Sequence, residues 1–416
     1  MAKKILLMDA FSTIHVGNGA LLENTILLCK KAYGNDCEVS IISTDVKTCS
    51  LKHDNLYENI FLHDFKRGQS KFYKIKWFSK QFIFMLMHII NLKMFNIALH
   101  KLPGTKLQKR TLEVMQNADI CISLFGEGIK NSTSKSLPFW LFTFWLTIKK
   151  GKDFIVFPQS IGPLTKNWAR KLVYIALKDA KLLVGRDKPS YEDLLKLGFD
   201  ENKVMYMPDV AIQQQRGDAN IYEYFENKNK KIIGITISNA PKDEVGKEVN
   251  FVEKIASQVE LFHKDDYQFL IMPSNYIKDG ISEDYQLCLK LQERLSSTFE
   301  VSILKNRPYF PDEYSSLLSQ LELFISTRMH VMILATNMAI PTIAIYTQHK
   351  LMGYMQNINM EKYCIKYEKL DTIYTLATEM ITHREELVAK LTEENQNLKN
   401  EHQVFIERLQ KIEHDR

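Results

Sequence analysis

The sequence predicts an α/β protein of two successive domains, each built on a largely parallel sheet. Three observations predict this fold class. The chain has 416 residues, about twice the size of an ordinary single domain. Short apolar runs bounded by turn residues alternate with helix-length segments, the signature of parallel α/β architecture. That rhythm lapses once, in the polar stretch QQQRGDANIYEYFENKNKK over residues 213–231, and then restarts.

In the first half the expected strands are KILLMD, EVSIIS, DICISLFG, DFIVFP, KLLVGRD and KVMYMPD, which gives an N-terminal domain over 1–215. In the second half they are IIGITIS, YQFLIMP, EVSILK, LELFIS and PTIAIY, with helical patterns at Phe251–His263 and Asp284–Ser296, which gives a C-terminal domain over 228–370. Residues 371–416 are charged and lack Gly and Pro, and so predict a helix. Leu391, Leu398, Phe405 and Ile412 recur there every seven residues, with Val388, Asn395, His402 and Leu409 as companions. Two polar companions weaken a coiled-coil seam, so packing along its own subunit competes with a homo-oligomer contact. In open parallel sheets ligands bind beyond the carboxyl ends of the strands, so strand-to-helix loops lining an inter-domain cleft are the expected site.

Composition narrows the function classes. Hydrophobic residues make up 45% and charged residues 25% of the chain, with 11 Pro and 16 Gly, as in an ordered globular protein. A net charge of +6 against 55 Lys plus Arg does not point to nucleic acid. The six cysteines form no C-x-x-C pair, so neither a zinc site nor a disulfide framework is indicated, and a reducing compartment fits best. The opening MAKKILLMDAF reads as a buried strand rather than a signal peptide, because Asp9 interrupts its short apolar run. The expected location is the cytoplasm. Residues 65–109 interleave Lys with Phe, Tyr, Trp and Met. They read either as a long helix covering the first sheet with lysines extended into water, or as a basic amphipathic helix in peripheral contact with the inner face of a membrane.

The most informative stretch is STRMHVMILATNMAIPTIAI, residues 326–345. A strand ending at Ser326 gives way to a helix from Met329, with Thr327 as expected N-cap and Arg328 and His330 in or beside the first turn. Backbone N–H groups at a helix N-terminus favour anions, and an arginine there adds a clamp for phosphate or carboxylate. A cation at that end opposes the helix dipole, a conflict that an anionic ligand resolves. A histidine beside it can shuttle protons near neutral pH.

Other motifs carry both a structural and a functional reading. Gly126 and Gly128 bracket either a tight turn or a backbone approach to an anion. Gln159, in PQSIGP, either bonds backbone in a proline-stiffened loop or binds substrate. Arg186 either pairs with Asp187 or binds an anion, and Asp209 is suited to capping a turn.

FGEG (125–128), FPQSIGP (157–163), GRDKPSYEDLLKLG (185–198), MPDVA (207–211), STRMHVMILATNMAIPTIAIY (326–346), Lys350 and Gly353 occur in that order along nearly the whole chain. Together they resemble the polysaccharide pyruvyl transferase family. The resemblance implies two Rossmann-like domains facing across a cleft, similar to the GT-B glycosyltransferases, with the acceptor on the N-terminal side and the donor on the C-terminal side. It also implies transfer of pyruvate from phosphoenolpyruvate to a sugar as a ketal, the acceptor being a polysaccharide or its lipid-linked precursor. Arg328 and His330 would lie at the donor site, His330 as acid/base, with Arg186, Gln159, Gly126, Gly128 and Lys350 binding substrate. Phosphoenolpyruvate would serve as co-substrate, without metal or other cofactor.

Three positions depart from the family pattern. Ala20 and Leu21 follow Gly19 where an acidic residue is common, Glu127 interrupts a triple glycine, and Ser238 and Asn239 stand where an arginine is common. Two other readings compete. A GT-B glycosyltransferase would use Arg328 and Lys350 on the diphosphate of a nucleotide sugar. A non-catalytic component of polysaccharide assembly would use the C-terminal helix and the aromatic basic segment as contact surfaces.

Overall fold

A computed structural model describes residues 2–61, 70–124, 126–133, 136–238, 251–277, 280–347 and 349–414. Its strands are β1 (Lys4–Ala10), β2 (Glu38–Ser43), β3 (Leu56–Glu58), β4 (Ile120–Ser123), β5 (Asp153–Gln159), β6 (Leu182–Gly185), β7 (Val204–Tyr206), β8 (Lys231–Thr236), β9 (Tyr267–Ile271), β10 (Val301–Ile303), β11 (Leu323–Ser326), β12 (Thr342–Ile345) and β13 (Cys364–Ile365). The α-helices are α1 (Val16–Tyr33), α2 (Val46–Cys49), α3 (Lys71–Ile90), α4 (Lys106–Asn117), α5 (Leu137–Lys149), α6 (Asn167–Leu177), α7 (Lys188–Lys196), α8 (Phe251–Val259), α9 (Glu283–Leu295), α10 (Pro311–Leu318), α11 (Met329–Asn337), α12 (His349–Asn357), α13 (Ile373–Thr382) and α14 (Arg384–His414).

The chain forms two compact units. The first comprises Met1–Thr13, Thr25–Asp209 and Val404–Arg416, the second Ile14–Asn24 and Val210–Gln403. Residues 14–24 join the second unit through backbone bonds: Val16 N donates to Ser274 O at 3.1 Å and Tyr276 N to Ile14 O at 3.2 Å.

The first unit holds a seven-stranded sheet in the order β3-β2-β1-β4-β5-β6-β7. Every pair in it is parallel. Its inner strands β1, β4, β5 and β6 are buried and read as apolar runs, as inner parallel strands should. Leu6, Met8, Cys121, Phe154, Val156 and Leu183 pack with Leu141 and Phe144 of α5 and Val173 of α6. The chain winds from β1 to β3 on one side and from β4 to β7 on the other, so the switch lies between β1 and β4.

The second unit holds a six-stranded parallel sheet in the order β10-β9-β8-β11-β12-β13. Its core gathers Ile233, Ile235, Phe269, Leu270, Phe324, Ile325 and Ile343 with Met332, Ile333 and Leu334 of α11. Here the switch lies between β8 and β11. At each switch the strand ends splay apart, which opens the crevice where α/β sheets bind ligands.

The basic aromatic segment is not one long helix. α3 is followed by a π-helical turn at Asn91–Phe95, a 3-10 turn at Leu99–Lys101 and then α4. Residues 65–69 of that segment lie outside the described residues. The C-terminal region is likewise divided at His383 into α13 and α14. Along α14 the buried stripe is Leu387, Leu391, Asn395, Leu398, His402, Phe405, Ile406 and Leu409. Its two polar members have partners within the chain: Asn395 Nδ2 donates to Thr336 O at 2.7 Å, and Gln213 Nε2 meets His402 Nδ1 at 2.9 Å. The stripe therefore packs on its own subunit.

Candidate functional site

In the first unit, the loops after β4, β5 and β6 are tied together by Arg186, whose side chain is 1% exposed. Its Nη1 lies 3.1 Å from Asp209 Oδ2, its Nη2 lies 3.1 Å from Glu127 Oε1, and its Nε donates to Ser160 Oγ at 2.8 Å. Ser160 Oγ donates in turn to Asp187 Oδ2 at 2.9 Å. Asp187 does not take the expected ion pair with Arg186. It is the N-cap of α7, accepting from Ser190 N at 2.8 Å. Such a cap satisfies an orphan donor and places negative charge at the positive helix end.

Glu127, the carboxylate that interrupts the glycines, is compensated by Arg186 and by Lys130 Nζ at 2.8 Å. Gly126 has φ +63° and accepts from Ser160 N at 2.8 Å, so the turn needs glycine there and braces the PQSIGP loop. Gln159 is fully buried at the end of β5. On the structural reading its side-chain amide would bond backbone, yet neither amide atom has a partner among the described residues.

Two residues at the ends of the adjacent strands β1 and β4 were not read as functional in the sequence. Asp9, at the end of β1, is 1% exposed with φ +68°, a conformation uncommon for a residue with a Cβ. Both its carboxyl oxygens and Ser123 Oγ lack hydrogen-bond partners among the described residues. Burial raises the Asp9 carboxyl well above the usual carboxylate range. Strain and unmet polarity at a strand end emerge from neighbouring backbone, which no local pattern encodes.

In the second unit, Arg328, His330 and Lys350 follow adjacent strands at their carboxyl ends. Arg328 itself is the N-cap of α11, in place of the expected Thr327, and it gives no side-chain cap hydrogen bond. Thr327 is instead buried, its Oγ1 3.0 Å from Ser238 Oγ and its carbonyl accepting from Thr347 Oγ1 at 3.1 Å. These bonds lash β8, β11 and β12 together at the switch point. Ser238 thus spends its hydroxyl on structure where a cation was expected; Asn239 lies outside the described residues.

The Arg328 side chain is 41% exposed and that of its partner Asp284, in the first turn of α9, 6%. Arg328 Nε donates to Asp284 Oδ2 at 3.1 Å, and Nη2 bonds the same oxygen. Nη1 has no protein acceptor among the described residues. Burial raises the Asp284 carboxyl above its ordinary range, with Arg328 pulling the other way. The arginine is therefore steered by one carboxylate and keeps donor capacity for a ligand.

His330 sits in the first turn of α11 against Gly17: a Cβ at residue 17 would lie 2.5 Å from His330 Cβ and 2.9 Å from its Nδ1. Only glycine lets α1 approach the imidazole so closely. His15, two residues before Gly17 and just before α1, bridges to Asn275 in the same unit. Its pKa falls from 6.5 to about 4 through burial, then through the charges of Arg328 and His330. His15 thus stands as a neutral imidazole beside both candidate residues. It went unnoticed in the sequence because more than 300 residues of chain separate it from them; the adjacent glycines were the available signal. Lys350 lies half-buried in the first turn of α12. Among the described residues no group of three His, Cys, Asp or Glu side chains is placed to hold a metal ion.

Two parallel sheets with cationic strand-to-helix junctions define a GT-B-like α/β enzyme class. Solved structures agree on the fold. The chain is similar to UDP-GlcNAc 2-epimerase from Neisseria meningitidis bound to UDP-GlcNAc, with 14% identity, TM-score 0.58 and coverage of 98% of this chain and 100% of that one. It is similar to S. aureus MnaA solved with UDP, with 12% identity, TM-score 0.54 and coverage of 94% and 91%. A third is UDP-GlcNAc 2-epimerase from Methanocaldococcus jannaschii, with 13% identity, TM-score 0.51 and coverage of 91% and 92%. No curated protein sequence matches the chain. The family model described as polysaccharide pyruvyl transferase matches residues 15–349, most of the chain. The chain belongs to the polysaccharide pyruvyl transferase family and is accordingly a transferase of polysaccharide biosynthesis. The match begins at His15 and spans both junctions.

Proposed function

We propose that the chain transfers pyruvate from phosphoenolpyruvate to a saccharide, polymeric or lipid-linked, as a cyclic ketal. The observation that carries this reading is the β11–α11 junction, where a half-exposed Arg328 replaces the usual cap and His330 stands beside it. Arg328 Nη1 and the first N–H groups of α11 suit the donor's carboxylate or phosphate. His330 suits proton delivery to the donor's methylene carbon.

Protonation makes the central carbon electrophilic, and a sugar hydroxyl adds to it, giving up its proton. The C–O bond to phosphate then breaks and inorganic phosphate departs. A second hydroxyl closes the ketal on the same carbon and releases the second proton. The two hydroxyls release two protons while the methylene carbon and the departing phosphate each take one up, so the residue that protonates the methylene must be reprotonated each turnover. Neutral His15 is placed to take part in that exchange. Stabilisation of the departing phosphate falls to Arg328, with Lys350 on the next junction as a further cation. In the first unit Arg186 acts as a positioning residue, fixing the Gly126–Gly128 turn and the Gln159 loop that would receive the acceptor. No step as written requires a metal.

The test is incubation of the purified chain with phosphoenolpyruvate and a saccharide panel, following phosphate release and the mass gain of a ketal. His330→Ala should lower turnover by about 10²–10⁴-fold. Unchanged turnover in that variant sinks the assignment of His330. The fold relatives solved with UDP ligands motivate a nucleotide-sugar arm: saturable calorimetric binding of UDP-sugars with no binding of phosphoenolpyruvate would favour the glycosyltransferase reading.

A further inference from the structure

The structure leaves a large apolar surface on α3 and the turn that follows it. Phe72 is 77% exposed, Ile75 64%, Phe82 65%, Ile83 65%, Met94 71% and Phe95 63%. At about 100° per residue, Phe72, Ile75, Phe82, Ile83, Leu86 and Ile90 fall within an arc of about 100°. Trp77, Gln81, Phe84 and His88, which are buried, fall on the opposite side, about 180° away. That second face is fully used: Phe84 packs edge-on to Phe61 with ring centroids 6.0 Å apart, and Trp77 lies 5.5 Å from Phe139 of α5. The helix is therefore apolar on two faces, and only one of them is spent on the fold.

The exposed face continues onto a turn that is built rather than frayed. Asn91 closes it by donating to Ile97 O at 2.9 Å and accepting from Ile97 N at 2.9 Å. Asn96, at φ +49°, ends the π turn and accepts from Lys150 Nζ at 2.6 Å. Met94 and Phe95 are thus held outward by specific bonds.

Charge indicates what covers this face. Lys71, Lys74, Lys76, Lys80, Lys93 and Lys101 are exposed around it, and no Asp or Glu occurs between residues 65 and 112. On the helix Lys71 and Lys74 flank the exposed arc on one side and Lys76 and Lys80 on the other. A second copy of the chain would set this lysine collar against itself, since a two-fold contact brings like patches together. An anionic bilayer surface answers both features, taking the apolar arc into its headgroup boundary and the lysines into its charge. No helix among the described residues is long and apolar enough to cross a membrane, so the geometry is that of a helix lying on the surface. We propose that α3 and the Asn91–Phe95 turn dock this chain on anionic lipid bilayers.

The test is co-sedimentation of the full chain with vesicles of phosphatidylcholine alone and of phosphatidylcholine mixed equally with phosphatidylglycerol, at low and high salt. The chain should bind the anionic vesicles, and salt should weaken that binding. Each of Lys71, Lys74, Lys76 and Lys80 changed to Gln should weaken it about fivefold. Phe82→Glu with Ile83→Glu should abolish it while leaving far-UV circular dichroism and the melting curve unchanged, because both side chains face solvent. Absence of binding to anionic vesicles overturns the proposal, as does binding that neither variant set alters. Concentration-dependent self-association that Phe82→Glu with Ile83→Glu abolishes, without vesicle binding, overturns it in favour of an interface between copies. Phosphate release from phosphoenolpyruvate with a soluble saccharide is measured separately, so the transferase reading and the docking reading fail independently.

Discussion

Arg186 and Arg328 stand at comparable places, each just past the carboxyl end of an inner strand and at the start of a helix. Their surroundings are opposite. Arg186 is sealed, its side chain 1% exposed, with two carboxylates and a serine hydroxyl on its three nitrogens. The helix beside it has an aspartate N-cap that complements the dipole. Arg328 is 41% exposed, meets one carboxylate, and occupies the N-cap position itself without capping anything. The first junction satisfies every local rule of helix initiation, whereas the second breaks one. A local rule broken with donor capacity left over after its one internal carboxylate is where a ligand belongs.

The contrast can be broken most forcefully at Arg186. Arg186→Ala takes a buried ion-pair partner from Asp209, 3% exposed, and another from Glu127, so unfolding in urea should show a loss of about 3–5 kcal/mol. A loss below about 1 kcal/mol, the worth of a surface ion pair, would refute the sealed-network description. Arg328→Ala should do the reverse. Its stability should fall by less than that of Arg186→Ala, since the arginine itself is 41% exposed and only one carboxylate, Asp284 at 6%, loses its partner. Turnover should fall by about 10²–10³-fold through loss of the anion clamp. Equal losses of stability in both variants would erase the distinction between the two sites.

Gly17→Ala sharpens the second junction further. The added methyl collides with the base of the His330 side chain and its imidazole, so a displacement near 1 Å should cost about 10²-fold in turnover. Retained thermal stability would separate mispositioning from unfolding. The smallest effect concerns pH. His15 titrates at about 4 in the folded chain against 6.5 when unperturbed. Between those values the unfolded state binds more protons, so stability rises with pH across the window and is lost as pH falls from 6.5 towards 4. His15→Asn should flatten that slope in denaturation curves. Asp284, whose carboxyl is raised by burial, acts oppositely: its contribution to stability is lost as pH rises above its ordinary value and through its raised folded one.

Much of this was readable in the sequence. The strands KILLMD, DFIVFP and LELFIS were recognisable because buried parallel strands are apolar on both faces. The β11–α11 junction was legible because strand, cation, histidine and helix are adjacent in the chain. His15 and Asp284 were not, since their relation to Arg328 is created by separate segments that meet only once the second unit has folded. The same limit explains Asp187: adjacency to Arg186 suggested a pair, yet extended backbone at the N-cap turns the aspartate toward α7. In the C-terminal helix, Asn395 and His402 looked like flaws in a heptad. Partners on α11 and in the Val210–Gln213 turn make them ordinary buried polar groups.

By itself the sequence determined the two parallel α/β sheets, the order of the motifs and the presence of a cation with a histidine at one helix start. These follow from periodicity and from residues within a few positions of one another. Tertiary structure alone decided that Arg186 is locked by carboxylates while Arg328 keeps a donor open, that Gly17 seats His330, and that α3 has an apolar face to spare. Those outcomes depend on which groups are desolvated together, and desolvation is a property of packing rather than of any single segment.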